Sequence, residues 1–212
     1  DLLPKYELQN LGASEVQKFW NSAVPKWLEI GFGTADHLIG QAINNPNVHI
    51  IGAEPFINGV AIALRGIEEN SLTNVSIHNG DARELLQNMP DNSLARVYIL
   101  FPDPWPKTRH HKRRIIEQNL LNELQRVMKQ GAELLIATDH EGYACWILRE
   151  VLAHKGFAWT AKSKADWQTE FDGHIKTKYQ IKNMAKTARP LFFRFVRSAS
   201  LIASLCASIP EI

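Results

Sequence analysis

Acidic side chains recur where apolar runs give way to turns: Glu29, Glu54, Asp81 and Asp103. The first run passes through Glu29, Ile30, Gly31, Phe32, Gly33, Thr34 and Ala35 into a helical pattern. Glycines there let the backbone turn tightly and approach a ligand at a helix N-terminus, although a lone Gly-x-Gly serves a purely structural turn as well. The second run ends at Glu54, where a carboxylate can accept from both hydroxyls of a ribose. The third ends in Asn79, Gly80, Asp81 and Ala82, bringing another carboxylate to the same edge. Acidic groups gathered in this way suit a cation. A dinucleotide site would want Gly-x-Gly-x-x-Gly and a phosphate to neutralise, whereas this loop lacks that third glycine and follows an anionic Glu29. S-adenosylmethionine carries a sulfonium, an ammonium and a ribose diol but no phosphate, and it is the expected methyl donor; no metal is expected.

The fourth run exits into Phe101, Pro102, Asp103, Pro104, Trp105 and Pro106, followed by Lys107, Thr108, Arg109, His110, His111, Lys112, Arg113 and Arg114. Three prolines stiffen the backbone around Asp103. The loop offers a carboxylate, an aromatic ring and a dense cationic run, which together can orient an acceptor nitrogen, stack a base and hold phosphates. A tryptophan by itself would as readily pack in a core; its place at a cofactor edge favours the functional reading.

The elements that must position these groups follow from periodicity. Apolar strand patterns at 27–30, 48–53, 75–78, 96–101 and 133–137 alternate with helical spacings at 36–43, 57–69, 114–128 and 142–153. Segments 159–161 and 191–196 supply two further strands, with Pro190 marking the start of the last. Such βαβ alternation predicts an α/β, Rossmann-like domain: a seven-stranded, mostly parallel sheet with helices on both faces, binding its ligands at the carboxyl ends of the strands.

Charge and composition narrow the partner. The chain has 212 residues, 45% hydrophobic and 22% charged, with a net charge of +2, which suits one large core. Five Lys/Arg fall within 107–114 and seven within 176–197, with no acid in either stretch. The remainder is therefore strongly acidic, and the separation points to a polyanion. Cys145 and Cys206 lie far apart and form neither a disulfide framework nor a zinc ribbon, so a reducing, cytoplasmic compartment is expected. No apolar run reaches the length of a membrane span, and the N-terminus does not read as a signal peptide.

Taken together, the 101–114 segment, the Glu29 to Gly33 loop, Thr138-Asp139 and Thr177-Lys178-Tyr179-Gln180 closely resemble the tRNA (guanine-N7)-methyltransferases over about 27–197. The resemblance implies a class I methyltransferase sheet, S-adenosylmethionine as donor and a guanosine of the tRNA variable loop as acceptor. It implies cofactor contacts at Glu29, Gly31, Gly33, Glu54, Asp81, Ala82 and Asp103, with Asp103 catalytic. It implies substrate contacts at Lys107, Arg109, Lys112, Arg113, Arg114, Asp139, Thr177, Lys178, Tyr179 and Gln180. The catalytic domain is then 1–197, with RNA-contact segments at 107–114 and 174–189 and a tail at 198–212. The chain departs from the family pattern at Ala35, where a third glycine is usual, and at Gln180, where Glu is usual. An amide keeps one acceptor there but loses the charge. Two other readings compete: methylation of an exocyclic amine, since Asp103-Pro104-Trp105 faintly resembles an Asp-Pro-Pro-aromatic loop, and a binding protein that has lost turnover.

Overall fold

The computed structural model describes residues 2–8, 12–184 and 189–198. β1 (Lys26–Ile30), β2 (His49–Ala53), β3 (Val75–His78), β4 (Leu94–Leu100), β5 (Met128–Thr138), β6 (Phe157–Trp159) and β7 (Leu191–Arg197) form one sheet in the order β3-β2-β1-β4-β5-β7-β6. The pairings among β1 to β5 are parallel, while β7 runs antiparallel to both β5 and β6. The order reverses between β1 and β4, which makes the carboxyl ends of those strands the natural ligand crevice.

Strand alternation divides the core. Leu28, Ile30, Val97, Ile99, Leu134 and Ile136 face one side, where they pack with Leu120, Leu121 and Leu124 of α6 (Gln118–Val127) and Tyr143, Ile147 and Val151 of α7 (Glu141–Ala153). On the other side, Ile50, Val75 and Ile77 meet Leu38 and Ala42 of α3 (Asp36–Asn44) and Val60, Ala63 and Ile67 of α4 (Ile57–Glu69). Tyr98, Leu100 and Leu135 pack there with Phe171 and Phe192.

The expected alternation is present, with differences at its edges. The helix expected over 114–128 begins only at Gln118, because 108–113 form a 3₁₀ turn and Arg114 and Glu117 are extended. Ile115 and Ile116 prolong the apolar pattern as a packed loop. The strand expected at 159–161 lies at Phe157–Trp159. Four helices, α1 (Leu3–Tyr6), α2 (Ala13–Asn21), α5 (Ala82–Gln87) and α8 (Lys178–Met184), were not expected from the sequence. Apart from Ser198, the expected tail lies outside the described residues, as do Cys206 and 185–188 of the second basic segment.

Candidate active site

Between β1 and α3 the chain takes three left-handed positions, Gly31 (φ 73°), Gly33 (φ 54°) and Ala35 (φ 58°). A Cβ built on either glycine would meet nothing within 4 Å, so open space lies beside the loop. Ala35 holds a conformation that costs a residue with a Cβ on the order of 1–2 kcal/mol. Its methyl is buried with Phe32 and Leu38, an apolar contact that offsets the strain. The loop therefore keeps its glycine-like turn despite the departure at this position.

Glu54 follows β2 and is 4% exposed. Its two carboxylate oxygens accept from the Gly33 amide at 2.8 Å and the Phe56 amide at 3.0 Å. Gly59 brings α4 against the same loop, where a Cβ would fall 2.5 Å from the Gly33 carbonyl. Asp81 caps α5 by accepting from the Arg83 amide at 2.9 Å. The Arg83 guanidinium also grips it, at 3.0 and 2.7 Å, and holds its carboxyl below the usual carboxylate range. These groups, with Ala82, Asp103 and Trp105, line a cavity of about 530 Å³, a size ordinary for a small-molecule site.

Glu29 is the cofactor contact expected on β1. It does not line the cavity; it is 2% exposed and meets His37 Nδ1 at 2.8 Å. The cause is alternation along β1. Leu28 and Ile30 face the α6 side, so Glu29 points to the opposite face, towards α3.

The loop after β4 is strained and tightly held. Phe101 (φ 51°) and Trp105 (φ 41°) are left-handed without being glycine, a conformation that persists only where the surroundings over-determine it. The Phe101 amide donates to the Ala137 carbonyl at 2.8 Å, and its ring lies 5.6 Å from that of Tyr179. The Arg113 guanidinium sits 4.9 Å above the Trp105 ring. Asp103, between the two prolines, is exposed, and among the described residues no hydrogen bond or ion pair engages its carboxylate.

Arg114, expected among the phosphate contacts, is buried, unlike its basic neighbours. It is 5% exposed, donates to the Pro104 carbonyl at 2.9 Å, and lies over the rings of Tyr143 and Trp146 at 5.1 and 4.6 Å. A guanidinium enclosed in this way ties the proline loop to α7. Lys107, Arg109, Lys112 and Arg113 are exposed around the 3₁₀ turn, and Arg113 also borders the cavity.

The 177–180 segment reaches the site through Tyr179, whose ring meets Phe101 and whose hydroxyl donates to Asp139 at 3.1 Å. The Thr177 hydroxyl accepts from the Gln180 amide at 3.1 Å, and Lys178 Nζ lies 3.7 Å from Asp36. Gln180 is 1% exposed, with both ends of its side chain engaged: Oε1 with His174 Nε2 at 2.8 Å, and Nε2 with Glu170 at 2.9 Å. Burial pushes the His174 pKa down. The sequence reading missed Glu170, His174, Arg83 and Phe56. Arg83, two residues after Asp81, was open to inspection as a local partner. Glu170 carries no such signal, being joined to Gln180 only by the fold.

The reversed sheet order, the glycine loop and the acidic cavity edge define a Rossmann-like methyltransferase of class I. The fold is shared with a 16S rRNA (adenine(1408)-N(1))-methyltransferase from Catenulisporales acidiphilia, with a TM-score of 0.61 at 19% identity, covering 92% of this chain and 97% of that one. Residues 23–191 match a family model described as "Putative methyltransferase". Proteins named tRNA (guanine-N(7)-)-methyltransferase are similar at the sequence level. That of Hyphomonas neptunium is 47% identical over 80% of this chain and 77% of its own, and that of Caulobacter vibrioides 48% over 81% and 75%. The chain belongs to the tRNA (guanine-N(7)-)-methyltransferase family.

Proposed function

We propose that this protein transfers a methyl group from S-adenosylmethionine to N7 of a variable-loop guanosine in tRNA, in the cytoplasm. The observation that carries this reading is Asp103: an unengaged carboxylate on a strained, proline-flanked loop at the mouth of the cavity that Glu54 and Asp81 border. The cavity residues fit the donor. Glu54 is fixed by two backbone amides and keeps lone pairs for the ribose hydroxyls, and the space beside Gly31 and Gly33 accommodates a chain approaching the backbone closely. No helix among the described residues is long and apolar enough to cross a membrane.

When bound, the donor supplies an electrophilic methyl on a sulfonium. Guanine N7 has a free lone pair at neutral pH, so no base has to remove a proton before attack. Alignment contributes on the order of 7–11 kcal/mol, against about 10²–10⁴-fold from a general base, so the residues act chiefly by positioning. Asp103 accepts from a guanine donor and favours the purine as it becomes cationic. Trp105 offers a ring beside it, and Lys107, Arg109 and Lys112 meet phosphates. Covalent pyrimidine chemistry would need a thiolate on this loop, whereas Cys145 lies on α7.

The exocyclic-amine reading is not favoured, because the relatives are named for guanine N7. Loss of turnover is disfavoured by an intact Asp103 and an intact donor edge. The test is incubation of the full chain with isotopically labelled S-adenosylmethionine and unmodified tRNA, followed by nucleoside mass spectrometry. Labelled 7-methylguanosine is the expected product; a labelled exocyclic amine, or no labelled nucleoside, overturns the reading.

A further inference from the structure

The donor loop and the acceptor segment, far apart in sequence, converge on a single helix. Asp36, the first residue of α3, accepts from the Thr34 hydroxyl through Oδ2, and Thr34 lines the donor cavity. The same oxygen lies 3.3 Å from the Lys178 backbone amide, which donates to it. One turn further on, Gly40 is the seat of Ile175: a Cβ at position 40 would fall 2.3 Å from Ile175 Cδ1 and 3.2 Å from its Cγ2. Gln41 then donates to the Gly173 carbonyl at 2.8 Å. Three successive contacts along one helix face thus dock residues 173–178 onto the element that closes the donor loop.

We propose that Asp36 is a positioning residue for methyl transfer, joining the donor loop to the acceptor segment through one carboxylate, with Gly40 and Gln41 fixing the height at which that segment sits. The inference rests on the reading that 177–180 meet the tRNA. Its physical content is that a helix with a rise of 1.5 Å per residue acts as a rigid spacer between two half-sites. Reaction rates are sensitive to such spacing, since a misplacement of about 1 Å can cost on the order of 10²-fold.

The test uses the full-length chain with tRNA at saturating donor. Gly40→Ala should lower kcat/KM for tRNA by about tenfold or more, because Ile175 is pushed off its seat. Donor affinity measured by calorimetry should be unchanged, and any fall in melting temperature should be small, since alanine's helix propensity, worth about 1 kcal/mol, offsets much of the overpacking against Ile175. Gly40→Ala/Ile175→Ala should recover most of the loss, which a generally weakened fold would not. Asp36→Ala should lower kcat/KM in the same direction and supplies the answer if Gly40→Ala folds poorly. Wild-type kcat/KM for tRNA in both single variants, or a double variant no better than Gly40→Ala, overturns the proposal. If the unaltered chain makes no 7-methylguanosine, the functional reading fails separately. The docking is then decided by amide hydrogen exchange over 174–178, which should quicken in Asp36→Ala; unchanged exchange there overturns it.

Discussion

Glu54 meets two demands with one carboxylate: it closes the glycine loop by accepting the Gly33 amide, and it faces the cavity with its remaining lone pairs. Glu54→Gln keeps the size but turns one acceptor into a donor against those amides or against the ribose. A charge-assisted hydrogen bond is worth roughly 1.5–3 kcal/mol, so donor affinity measured by calorimetry should fall by about ten- to a hundredfold. Asp103 is the contrasting case, because among the described residues no hydrogen bond or ion pair engages its side chain. Asp103→Asn should leave the melting temperature near that of the wild type, while kcat at saturating tRNA and donor falls by about 10²-fold or more, as on losing one preorganised polar contact. A variant that instead unfolds would show that the carboxylate supports the loop. Glu54 and Asp103 were both legible in the sequence because each ends an apolar run beside a turn. Glu29 sits on an equally apolar run, and alternation along β1 turns it to the α3 face, where it meets a partner, His37, that the strand pattern alone does not name.

Elements show the same division between local and non-local information. The long strands and α3, α4 and α7 were readable from periodicity, whereas α5 and α8 are too short for a 3.6-residue period to register. Basic residues in a run are equivalent on paper; chain direction then buries one and exposes its neighbours. Arg114→Met should therefore act on stability, removing a charged hydrogen bond to the Pro104 carbonyl and two ring contacts, at about 2–4 kcal/mol by urea denaturation. A second element-scale effect lies at the amino end of β2. His49 opens β2 beside Lys26, packs on Phe19 and bonds Ser76, and burial, helped by the Lys26 charge, pushes its pKa down to about 4. The unfolded chain then binds more protons than the native one between about pH 6.5 and 4. Stability from this group is fully present above that window and is lost as the pH falls through it, by up to about 3 kcal/mol. Urea midpoints should drop less steeply over this range in His49→Gln than in the wild type; equal slopes would remove His49 from the account.

At the scale of the whole molecule, a net charge of +2 conceals a separation of charge that the fold makes directional. Part of the basic surplus is consumed internally. Arg194 pairs with Glu133 and Asp172, Arg197 donates to the Gln125 carbonyl, and Arg114 is enclosed. Lys107, Arg109 and Lys112 remain exposed around the 3₁₀ turn, as does Lys182 on α8, while Lys176 and Lys178 are exposed but lie 3.6 and 3.7 Å from Glu170 and Asp36. A polyanion bound here releases counterions, and log K falls with log salt by about 0.7–0.9 per phosphate contact. Replacing Lys107, Arg109 and Lys112 together with Gln should weaken tRNA binding at low salt and flatten the slope by about two. Donor affinity should be untouched, because none of the three borders the cavity. Arg114→Lys is the informative control: it sits in the same basic run yet is buried against Tyr143 and Trp146, so its slope should equal that of the wild type even if the protein is less stable. Filter-binding titrations from low to moderate salt measure both. Equal slopes for the triple variant and the wild type would place the RNA on another face, and a flattened slope for Arg114→Lys would mean that the proline loop opens to receive it.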